Sequence, residues 1–144
     1  MRRLIVLGAA AALLALLPAS AMAGGRPFVL ALTGAAEAPG PGDPNGSGTA
    51  WLTFNSGLGE VCFTLSVEDI ALPATGAHIH RAPAGSPGPI VVPLIAPDAS
   101  GHSSGCVLAD PALVKEIRKD PSAFYVNVHS TEFPAGAVRA QLDQ

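Results

Sequence analysis

The chain has 144 residues, with 8 Lys and Arg against 11 Asp and Glu and a formal net charge of −3. That length holds one domain with its own hydrophobic core. The mildly acidic balance, with its few basic residues scattered, excludes an electrostatic surface for nucleic acid.

The N-terminus reads as an export signal. Arg2 and Arg3 give a short basic start, Leu4 to Leu17 is an apolar run, and Ala21-Met22-Ala23 puts small residues where a signal peptidase reads. The run is shorter than the roughly 20 residues that span a bilayer. The expectation is a cleaved signal peptide over residues 1–23 and a single domain over 24–144. The domain would be secreted or periplasmic and carry no transmembrane segment.

Beyond the signal, Gly and Pro separate short alternating runs, the pattern of an all-β sandwich or barrel. Phe28 to Thr33 places Phe28, Leu30 and Leu32 on one face. A turn-rich stretch from Ala38 to Ser47 follows, and then a second strand from Thr49 to Asn55. The third strand has the cleanest period of two, with Val61, Phe63, Leu65 and Val67 against Cys62, Thr64 and Ser66. Gly76 to His80 reads as a short strand and Ala82 to Pro89 as a Gly/Pro loop. Ile90 to Ile95, interrupted by Pro93, reads as an edge strand. Gly101 to Val107 reads as a loop feeding a short strand around Cys106. One short helix starts at Asp110-Pro111, with Asp110 as cap, and carries Leu113, Val114 and Ile117 as its apolar stripe. The last two strands are Ala123 to His129 and Ala137 to Leu142.

Cys62 and Cys106 are the chain's two cysteines. In an exported protein an even count favours a disulfide, which would stabilise the fold by about 4 kcal/mol on the chain-entropy account. Two separate thiols or two metal ligands are the other readings, although the spacing is unlike that of a zinc site.

The chemical lead is a set of histidines. His78 and His80, two apart in a strand, point to one face about 6.5 to 7 Å apart along the chain. In the next-to-last strand Tyr125, Asn127 and His129 oppose Phe124, Val126 and Val128. In the last, Arg139 and Gln141 oppose Val138 and Ala140. The polar group therefore lies on the side opposite the apolar faces, where the long loops could cover it. Imidazole suits copper, zinc or iron. His78, His80 and His129, with His102 as a further candidate, would leave a coordination position open. Arg139 would then guide an anion to the site. On the other reading the histidines are structural clamps that hydrogen-bond backbone groups, with Asn127 and Arg139 in the same role. Glu37, just after the first strand, is expected to make a turn or loop hydrogen bond. No nucleophile elbow, phosphate loop or carboxylate pair for acid–base work is present.

Several of these segments resemble the CHRD (chordin-domain) family. They are Leu32-Thr33-Gly34-Ala35-Ala36-Glu37-Ala38-Pro39, Gly48-Thr49-Ala50, Val61-Cys62-Phe63, Ala77-His78-Ile79-His80, and Phe124 to His129 continuing through Phe133-Pro134-Ala135-Gly136-Ala137-Val138-Arg139. The resemblance implies an extracytoplasmic β-sandwich, Greek-key and immunoglobulin-like, with no settled activity or known partner. The domain would act in binding or as a cell-envelope component. A weaker similarity is to copper,zinc superoxide dismutases, whose β-barrel carries a copper-binding H-x-H pair, a late copper histidine and an anion-guiding arginine. His78, His80, His129 and Arg139 match these in order. No His-rich zinc loop follows His80, so the similarity implies at most a mononuclear copper site.

Overall fold

The structure is a computed structural model and describes residues 25–143; the expected signal peptide lies outside the described residues. Eight strands form: β1 (Phe28–Thr33), β2 (Ser47–Asn55), β3 (Glu60–Glu68), β4 (Gly76–Arg81), β5 (Ile90–Leu94), β6 (His102–Leu108), β7 (Phe124–His129) and β8 (Val138–Gln141). One helix, α1 (Pro111–Lys119), separates β6 from β7. All strand pairs are antiparallel, in the order β5-β4-β7-β8-β1-β2-β3-β6, and the sheet curls into a nearly closed barrel. This is the all-β class that the alternation and the resemblance imply. Among the described residues no helix is long and apolar enough to cross a membrane.

Period-two patterning decides what faces inward. Val61, Phe63, Leu65 and Val67 of β3 meet Ala50, Leu52 and Phe54 of β2 in the barrel interior. Ala77 and Ile79 of β4 and Phe124, Val126 and Val128 of β7 close it from the other side. Burial of each large side chain contributes about 1.5–3 kcal/mol. Helix α1 packs on β2 and β3 through Val114 and Ile117, both fully buried. Asp110 caps it as expected, its Oδ1 accepting from Ala112 N–H at 2.8 Å.

Cys62 and Cys106 are register partners on β3 and β6 and form the disulfide. Strand β6 begins at His102, earlier than the loop reading allowed, so that His102 pairs with Ser66. The cause is a turn at Asp98, whose Oδ1 accepts from the backbone of Ser100 and whose N–H donates to the His102 carbonyl. That turn sends the chain back along β3 at once. Strand β5 is an edge, as Pro93 implies, and its pairing with β4 slips by one residue between Ile79 and His80. Such a bulge re-aims the side chains beside it.

Candidate metal centre

His78 and His80 leave β4 on the face opposite Ala77 and Ile79. His129 leaves the neighbouring strand β7, where it is in register with Gly76. This pairing brings the three imidazoles together, with one ring nitrogen from each lying within 4.8 Å of the others. His78 Nδ1 is 3.1 Å from His129 Nε2. Gly76 is what lets the rings meet. A Cβ there would sit 3.0 Å from His78 Cε1, so a side chain would crowd that imidazole, while His129 Cδ2 at 3.7 Å would stay at ordinary contact distance.

Two of the rings are locked by backbone carbonyls. His80 Nδ1 lies 2.9 Å from the Gly88 carbonyl and His129 Nδ1 lies 3.0 Å from the Pro134 carbonyl. A carbonyl only accepts, so each Nδ1 carries the proton and each neutral ring keeps a bare lone pair on Nε2. His80 Nε2 is fully buried and has no hydrogen-bond partner. His129 Nε2 faces Asn127 Oδ1 at 3.1 Å. In that tautomer His129 Nε2 is an acceptor, and His78 Nδ1–H donates to it.

Electrostatics favour the neutral form of His78 and His129. Burial, followed by repulsion from His129 and His80, pulls the His78 pKa down to about 4. Burial also lowers that of His129, with the Pro134 hydrogen bond opposing the shift and His80 adding to it. Neutral imidazole is the form that binds metal.

Behind the histidines lies a second buried layer. Tyr125 stacks on His80 with ring centroids 4.7 Å apart and planes within 5°. Arg139 lies over Tyr125, its guanidinium carbon 3.4 Å from the ring centroid. The Arg139 guanidinium donates to the carbonyls of Ser86 and Pro83 and to Gln141 Oε1. Although it stands on the outer face of β8, it is only 1% exposed. Asn127, beside His129, is equally buried. Glu37 is buried near Asn127 and Arg139, with Oε1 unpartnered. Its pKa is raised, because desolvation outweighs the Asn127 hydrogen bond and the attraction of Arg139.

His102 does not join the group. It is exposed on β6, in register with Ser66. A second close set, Glu60 with Cys62 and Cys106, has its sulfurs committed to the disulfide and so offers no thiolate. Tyr125 and Gln141 belong to the site's supporting layer, although neither stands out among the candidate residues of the sequence. Alternation alone places both on the face of Arg139 and His129, and that is the signal that could have found them.

Among known proteins, the CHRD domain family model matches residues 28–142. No curated protein and no solved structure matches the chain.

Proposed function

This chain belongs to the CHRD family, and within it we propose that the domain is an extracytoplasmic protein that binds one copper ion through His78, His80 and His129. The observation that carries the reading is the pair of locked rings. His80 and His129 spend their Nδ1 protons on backbone carbonyls, which turns both Nε2 lone pairs toward the group; that of His80 is buried without a partner, and that of His129 is 3.1 Å from His78 Nδ1. Metal-binding histidines are commonly oriented in this way by a hydrogen bond at the other nitrogen. The clamp role and the ligand role therefore coexist in the same residues.

Nitrogens about 2.0–2.1 Å from one ion lie some 3–4 Å apart. His78 is the ring without a backbone tether, so a small rotation of it closes the set. Three nitrogen donors leave a position open toward the half-buried His78 side. Arg139 serves in this reading as a positioning residue, not an anion guide. Its donors are taken up by two carbonyls and Gln141, and its charge rests on Tyr125. Export, signalled by residues 1–23, agrees with the disulfide, which persists in oxidising compartments.

Copper titration of the disulfide-bonded protein, with His80→Ala alongside, tests the reading. The expected result is one equivalent bound by the parent chain and a loss of at least 100-fold in affinity in the variant. Equal uptake by both would sink it.

A further inference from the structure

We infer that the three-histidine site selects copper in its monovalent state over divalent copper and zinc. The inference rests on the copper reading above and sharpens it from the charge and rigidity of the surroundings.

The first ground is charge. Each of the three donors is an imidazole, which binds a metal as an uncharged ligand, and no carboxylate or thiolate belongs to the group. A cation, Arg139, stands behind His80, stacked on the far side of Tyr125. Glu37, the acid of this layer, is not part of the donor group. A bound ion would therefore add positive charge that no donor atom neutralises, beside a buried His80 and half-buried His78 and His129. The cost of desolvating an ion grows with the square of its charge, so a dication loses about four times what a monocation loses. Repulsion from Arg139 doubles for the dication as well.

The second ground is shape. Divalent copper prefers square-planar or tetragonal surroundings, and zinc a closed tetrahedron or a fourth ligand from water. Here His80 is held by the Gly88 carbonyl on its edge and by Tyr125 on its face, and His129 is held by Pro134. Only His78 lacks such a tether. Three converging nitrogens, two of them immobile, fit a three-coordinate ion and resist rearrangement into a plane, which disfavours divalent copper; zinc, which three nitrogens and a water satisfy, is disfavoured by charge alone.

The test is a set of competition titrations on the disulfide-bonded protein. Monovalent copper would be titrated under ascorbate against bicinchoninate, with silver(I) as a redox-silent stand-in. Divalent copper would be titrated against glycine, and zinc against a chromophoric chelator. The expected outcome is one equivalent of copper(I) and of silver(I), each bound at least 1,000-fold more tightly than zinc or copper(II). That ratio would raise the potential of the bound copper above the aqueous couple by about 180 mV, at 59 mV per tenfold change for one electron. Zinc or copper(II) held as tightly as copper(I) would overturn this inference and leave the metal reading standing. If no ion binds better than to His80→Ala, both fail.

Discussion

Gly42 and Gly136 together make the space for the Glu37 carboxyl. A Cβ on Gly42 would lie 2.9 Å from Glu37 Cγ, and one on Gly136 would run into the carboxyl group itself. Gly136 also has φ +141°, a conformation side chains resist. Gly136→Ala should therefore destabilise the domain by about 2–3 kcal/mol, and part of that loss should return in the double variant with Glu37→Ala, as urea unfolding would show. Burial raises the Glu37 pKa above its ordinary 4.5. The folded state then favours the protonated acid, and Glu37's contribution to stability is present below pH 4.5 and lost as pH rises through the folded pKa. Glu37→Gln should consequently gain on the parent chain between pH 4 and pH 7 in the same assay; parallel curves would contradict this. The sequence marks Glu37 as an acid at a strand end, and its neighbours as glycines. It does not reveal that the two meet, because Gly136 is about a hundred residues further along the chain.

At the scale of elements, α1 and β7 were legible, and β6 only around Cys106. Asp110-Pro111 followed by a 3.6-period stripe encodes its own helix start, and Asp110→Ala should cost about 1 kcal/mol in thermal or urea unfolding. In β7, strict alternation assigns Tyr125, Asn127 and His129 to one side without reference to anything distant. The burial of that side was not legible. Alternation separates two faces, but the cover over the second comes from the loop after β4, whose path depends on contacts far apart in sequence. Strand β6 is the opposite case. His102-Ser103-Ser104-Gly105 has weak strand propensity, and what extends it is pairing with β3 and the turn at Asp98. His102 could have been set aside on the same grounds, since it lies four residues before Cys106 and the disulfide ties that strand to β3 and not to β4.

For the whole molecule, the disulfide fastens β6, an edge strand, to the body of the barrel. Replacing both cysteines with serine should lower stability by about 2–4 kcal/mol in denaturant titrations. Copper capacity should survive, because the histidines stand on β4 and β7.

The loop between β4 and β5 is gripped almost wholly by its main chain. Gln141 takes the carbonyl of Ala82, Arg139 those of Pro83 and Ser86, and His80 that of Gly88, while Tyr125 accepts from the Gly88 N–H. A lid held this way tolerates change at its exposed positions, though not at Gly88, where a Cβ would meet the Arg81 carbonyl, and is sensitive to length. Substitutions at the exposed Ala84 or Pro87 leave the grip in place, whereas inserting or deleting one residue moves every one of these groups out of reach together. Drift in this segment among descendants of the gene would therefore accumulate as changes of letter at constant count.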